Sequence, residues 1–181
     1  MLLRPGSSPA RARPAVTGLT ASSYSGVTMR NGVRLAVDVG SVRVGVARSD
    51  PGGILATPLT VVPSGPAAKD ELVKLATDAE AIEVIVGLPT SLSGREGPAA
   101  VGARDFAADL AGRLAPIPVR LVDERFTTTA AHDALRRSGK DSRARRQVVD
   151  AAAAAVLLQA ALDAERATGR PAGQLVPEAG A

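Results

Sequence analysis

Cysteine is absent from this chain, and with it go disulfides and thiolate metal sites. Histidine occurs once, at His132, which excludes a zinc site built on several imidazoles. Any bound metal must therefore rest on carboxylates, and oxygen donors favour Mg²⁺ or Mn²⁺. The aromatic residues are Tyr24, Phe106 and Phe126 alone. That is too few for the stacked-ring platform of single-strand readers, so RRM-like and cold-shock-like modules are disfavoured. No apolar run reaches membrane-spanning length, and the oily stretch 151–161 is short and rich in alanine. Arg4 stands near the N-terminus without the apolar run of a secretory signal, so the expectation is a cytoplasmic protein.

Acidic charge is missing from one region in particular. Residues 1–30 hold Arg4, Arg11, Arg13 and Arg30 and no acid, leaving 18 basic against 18 acidic residues in the remainder. The net charge of +4 therefore says little about the body of the chain. A local excess does exist: Arg136, Arg137, Lys140, Arg143, Arg145 and Arg146 stand within eleven residues against Asp141 alone. Such a run is usually a solvated face; the sharper reading is an arm that grips phosphates.

What is present suits one domain. The chain has 181 residues, 45% of them apolar, enough to build a full core. Residues 1–31 lack any hydrophobic period and read as a disordered extension. Residues 32–166 read as the folded domain and 167–181 as a flexible tail. Met29 is a second candidate start; N-terminal sequencing of protein made from its native gene tests this, and an intact Met1 form would refute it.

The stretch from Arg34 to Asp50, RLAVDVGSVRVGVARSD, organises the rest. It reads as strand, tight turn, strand. Leu35, Val37 and Val39 take one face and Ala36 and Asp38 the other. Gly40 and Gly45 let the backbone turn and leave space beside the Asp38 carboxylate, and Arg43 between them could hold an anion. Taken alone, this pattern is as often a hairpin with a polar turn as a site.

Downstream, a third strand is expected over 54–62, with Pro58 marking an edge or irregular position. A helix over 66–79, a strand over 82–86, a helix over 98–114 and a strand over 118–122 follow. A helix from Thr127 to Arg137 and a long apolar helix over about 144–166 complete the chain. Residues 90–97 form a polar loop whose Gly94 and Gly97 suit a mobile flap. The order, three strands then alternating helices and strands, suits a ribonuclease H-like α/β fold. That fold has a mixed five-stranded sheet with helices on both faces.

Three acids stand at element ends beside apolar runs: Asp38, Glu124 and Asp150. A buried carboxylate needs a cation, hydrogen bonds or water, and proximity to a helix start would favour ionised Asp150. A pair of Mg²⁺ ions would satisfy all three acids and supply phosphodiester-hydrolysis chemistry. The plainer alternative is that each acid caps an element or bridges to Arg43 or Arg125. Asp123 and Glu124 point opposite ways if the strand persists, so only one can share a mouth with Asp38. His132 reads as a surface residue, and Phe106 and Phe126 as core.

Four stretches in order, LAVDVGSVRVGVARSD, VIVGLPTSLSGREG, LVDERFTTTAA and KDSRARRQVVDAAAAAVLLQAAL, resemble the YqgF family, also called RuvX. That family comprises Holliday-junction resolvases and pre-16S rRNA nucleases, and the likeness covers about residues 34–163. The resemblance implies a metal-dependent nuclease with Asp38, Glu124 and Asp150 as catalytic, metal-binding acids. On the substrate side it implies Arg43, Arg125, Thr127, Thr128 and Lys140, together with Arg143, Arg145 and Arg146 of the basic run. Related resolvases can carry an acid where this chain reads Gly87-Leu88-Pro89, so the middle ligand falls to Asp123-Glu124, with Glu124 preferred. The partner is structured nucleic acid, with a homodimer left open. Two other classes remain: a non-catalytic nucleic-acid-binding factor in ribosome maturation or transcription, and, ranked low, a phosphotransferase, which would need a second domain.

Overall fold

The computed structural model describes residues 29–90, 97–126 and 143–177. Three strands come first: β1 (Arg34–Val39), β2 (Arg43–Ser49) and β3 (Ala56–Pro63). Helix α1 (Ala68–Asp78), β4 (Glu83–Leu88), α2 (Pro98–Leu114) and β5 (Val119–Asp123) follow. A 3-10 turn spans Glu124–Phe126, α3 spans Arg143–Thr168, and β6 is Gln174–Leu175. The sheet order is β3-β2-β1-β4-β5-β6. β1, β2 and β3 form an antiparallel meander, while β4 joins β1 and β5 joins β4 in parallel. This is the ribonuclease H-like arrangement expected from the residue pattern.

Alternation along the strands divides the core into two layers. Leu35, Val37, Val44, Val46, Val84 and Val86 face α1 and α2, which contribute Leu72, Ala76, Ala107 and Leu110. Ala36, Ala47, Ile85 and Val122 face α3, which contributes Ala154, Leu157, Leu158, Ala161 and Leu162. The small side chains on the second face let α3 lie close to the sheet. Pro58 sits on the edge strand, where its missing N–H costs nothing. The β2–β3 register shifts beside it, with Val46 opposite Thr60 and Ala47 opposite Pro58.

Three expectations need correction. Among the described residues the sheet has six strands rather than five, because β6 pairs antiparallel with the outer side of β5. Residues 167–181 are for that reason not wholly a loose tail. Gly173, at φ 75°, turns the chain back, a side chain there would strike the Leu121 carbonyl, and Val176 is buried. Residues 29 and 30, expected within the extension, also pack against the fold. Arg30 donates hydrogen bonds to Glu83 and Glu165, and Met29 packs against the α3 layer. Residues 1–28, 91–96 with Gly94, 127–142 and 178–181 lie outside the described residues, and with them the expected 127–137 helix.

Candidate functional site

Asp38 is the second-last residue of β1, on the α3 side, and is only 8% exposed. Its antiparallel partner across the sheet is Gly45 of β2. On the other side the β1–β4 register runs to Val37 opposite Val86, so one further step sets Gly87 beside Asp38. Both neighbours of the carboxylate therefore lack side chains. A Cβ on Gly45 would come within 2.1 Å of the Asp150 carbonyl oxygen. A Cβ on Gly87 would come within 3.0 Å of Glu124 Oε1 and 3.1 Å of Leu157 Cδ2. One glycine seats the backbone of α3 at Asp150; the other seats the Glu124 side chain. Distant acids are in this way gathered around Asp38 at one end of the sheet.

The choice between Asp123 and Glu124 has a geometric side. Asp123 pairs with Leu88, a residue of the α1/α2 layer, and so turns away from Asp38. Its carboxylate accepts hydrogen bonds from Arg125 Nη2 at 2.5 Å, from the Arg125 backbone N–H and from Thr90 Oγ1. The Arg125 hydrogen bond, aided by Thr90, draws the Asp123 pKa down to about 2. Asp123 is thus engaged on the far face, while Glu124 lies over Gly87. Arg125, expected on the substrate side, is the ion-pair partner of Asp123.

Arg43 begins β2, and its Nε donates to Asp150 Oδ2 at 2.6 Å. The backbone there is fixed: Gly40 N–H donates to the Arg43 carbonyl, Ser64 N–H to the Val42 carbonyl and Ser64 Oγ to the Gly40 carbonyl. A side chain at Gly40 would collide with the Arg43 carbonyl, which is why glycine stands at that turn. The helix start does not serve Asp150 as expected. α3 begins at Arg143, two turns earlier, and the helix dipole acts within its first turn. Arg43 supplies the compensating charge instead.

A carboxylate-only donor set suits a hard divalent cation. Among the described residues no group of three potential ligands stands ready to hold a metal ion. With Asp150 turned to Arg43, a cation would have to draw that carboxylate away.

Thr127, Thr128, His132 and Lys140 lie outside the described residues. Arg143, Arg145 and Arg146 open α3, the helix that carries Asp150, though their side chains are outside what is described. Phe106 packs against the α1/α2 core, with Lys69 Nζ 5.3 Å from its ring centre. One cluster escaped the sequence reading. At the opposite end of the sheet Arg30, Arg34, Arg120, Glu83 and Glu165 form a buried ion network. Its only local sign is a charged residue at the start of each of two apolar strands.

Comparison with known proteins bears on what this arrangement does. A family model described as RuvX, Holliday junction resolvase, matches residues 32–164. A Thermobifida fusca protein with the provisional name pre-16S rRNA nuclease is 58% identical over 155 residues, covering 82% of this chain and 98% of its own. A Streptomyces coelicolor protein with the same provisional name is 56% identical over 151 residues, covering 82% of this chain and 90% of its own. Among solved structures, Thermus thermophilus RuvC in complex with a Holliday junction substrate aligns with a TM-score of 0.45 and 20% identity. That alignment covers 77% of this chain and 99% of that one. No helix among the described residues is long and apolar enough to cross a membrane.

Proposed function

We propose that this chain, which belongs to the RuvX family and is a phosphodiester-hydrolysing nuclease, cuts structured nucleic acid at the mouth around Asp38, with precursor 16S rRNA as its substrate. The observation that carries the reading is the pair of glycines flanking Asp38, which admit Asp150 from one side and Glu124 from the other. Acids brought to neighbouring strand positions form an oxygen-only donor set, which supports a metal-binding role.

Asp38, Glu124 and Asp150 would hold Mg²⁺ or Mn²⁺, which when bound supplies Lewis-acid polarisation of the phosphoryl group and an activated water. The protein's own part is positioning. Asp38 is fixed on a central strand with hydrogen-bonded neighbours on both sides. Asp150 rides on a helix packed along the sheet, so strand and helix set the spacing of the acids. Arg43 stands at the mouth as a phosphate ligand. Lys140, Arg143, Arg145, Arg146, Thr127 and Thr128 would contact the backbone of the substrate further out. With so few aromatics and no visible base-reading apparatus, recognition rests on shape and phosphates, as for helical RNA. The reaction belongs in the cytoplasm, where rRNA precursors are processed.

The test is to incubate the purified chain with precursor 16S rRNA and with a four-way DNA junction, each with Mg²⁺, Mn²⁺ or a chelator. Cleavage of the precursor that chelation abolishes is the expected result. One observation favours a second reading, a binding factor without catalysis: Asp150 is already paired with Arg43. Tight precursor binding without cleavage under either metal would establish that reading and overturn the first.

A further inference from the structure

The Arg43–Asp150 pair has an unusual place. It joins an acid proposed as a metal ligand to a cation on β2, the strand that pairs with β1 beside Asp38. The two side chains are 23% and 32% exposed. A deeply buried pair would be locked by the cost of stranding either charge, whereas a pair at this depth can exchange partners. The arginine backbone is pinned by the Gly40 and Ser64 hydrogen bonds, so only the guanidinium is free to swing.

We propose that Arg43 is a built-in competitor of the divalent cation: its guanidinium holds Asp150 until metal takes the carboxylate, and the released guanidinium then receives a substrate phosphate. Metal binding and substrate binding are coupled through one side chain. The inference rests on the proposed metal role of Asp150 and adds what Arg43 does to that site. Several observations carry it together. Nε is within 2.6 Å of Oδ2, the pair lies at the mouth beside Gly45, and among the described residues no preformed three-ligand group exists. The guanidinium fork suits both states, since it binds carboxylate and phosphate oxygens with the same geometry.

The experiment measures Mn²⁺ affinity of the full chain without nucleic acid, by calorimetry or by electron paramagnetic resonance. Arg43→Gln removes the competitor and should tighten Mn²⁺ binding roughly two- to fivefold, the scale of a part-exposed ion pair. Arg43→Lys keeps the charge but not the fork and should fall between. Arg48→Gln, on the same strand and exposed, controls for net charge and should leave the affinity within about twofold of the unmodified chain. A second readout is precursor RNA binding with and without Ca²⁺. The cation should strengthen binding in the unmodified chain and lose that effect in Arg43→Gln. Unchanged or weaker Mn²⁺ binding in Arg43→Gln overturns the inference, as does an equal gain in Arg48→Gln. Asp150→Asn separates the two levels. If Mn²⁺ binding does not depend on Asp150, the metal-site reading fails and this inference with it. If binding depends on Asp150 but not on Arg43, only this inference fails.

Discussion

The two ends of α3 meet the sheet in opposite ways. Near its C-terminus Glu165 accepts hydrogen bonds from Arg30 and Arg34, while Glu83 on β4 binds Arg30 and Arg120. Three guanidiniums there enclose two carboxylates, and Arg34, Glu83 and Glu165 are buried. Fifteen residues earlier, about 22 Å along the helix axis, Asp150 enters a mouth shared with Asp38 and Glu124. There the described cation within reach of Asp150 is Arg43. The closed end satisfies its charges from within the chain and serves stability. The open end brings Asp150 and Glu124 to the strands on either side of Asp38, where cleavage is proposed. One helix delivers a carboxylate to each end, so burial and partner count, rather than residue type, separate a structural acid from a functional one.

The largest expected effect follows from the open end. Asp38→Asn or Asp150→Asn should lower the single-turnover cleavage rate by about a thousandfold or more, roughly 4 kcal/mol of transition-state stabilisation. The melting temperature should change little, because Asn keeps the shape of each side chain and the Arg43–Asp150 pair is part-exposed. Cleavage assays beside thermal melts check both halves, and full activity in both variants would erase the distinction between the ends.

Glu165→Ala is the mirror experiment. It strands the fully buried Arg34 guanidinium and should cost about 3–5 kcal/mol in denaturant unfolding. Cleavage per folded molecule should change little, since the site lies at the other end. A cost below about 1 kcal/mol would mean that the closed end is not the structural anchor.

Gly45→Ala tests the seat that joins helix to site. Its Cβ would meet a backbone oxygen, which cannot rotate away, so α3 must shift. We expect a loss of about 1–3 kcal/mol in stability and a fall of about ten- to a hundredfold in cleavage as Asp150 is displaced. Gly102→Ala, in α2 with nothing within 4 Å of the added atom, should instead stabilise by about 0.5–1 kcal/mol.

How far this contrast was legible in the residues depends on distance along the chain. The β1–β2 unit was readable because alternation puts Leu35 and Val37 on one face and Ala36 and Asp38 on the other. Gly45 and Gly87 could be recognised as unusual, but not what fills their space, since Asp150 and Glu124 arrive from far along the chain. The closed end was invisible for the same reason. Arg34 and Glu83 each look like a stray charge in an apolar strand until parallel pairing sets them side by side. β6, two residues long in a Gly- and Pro-rich stretch, carries no period to read. The pairing of Asp123 with Arg125 was within reach, being local, yet alternation alone left Asp123 and Glu124 equivalent.

The smallest expected effect is on pH dependence, and it too divides by region. Hydrogen bonding from Arg30 holds the Glu165 carboxyl below its ordinary value of 4.5, and Arg125 draws Asp123 from 3.8 to about 2. A carboxyl whose folded pKa is depressed stabilises the fold at pH values above its unfolded pKa. That contribution fades as the pH falls through the folded value, because the unfolded chain takes up the proton first. Stability should therefore decline on acidification below about pH 4.5. Glu165→Gln should flatten the upper part of that decline, and Asp123→Asn the part between about pH 4 and pH 2. Denaturant unfolding measured at half-unit steps resolves the two. A decline that Glu165→Gln leaves as steep as before would remove Glu165 from the structural acids and undo the contrast between the two ends of α3.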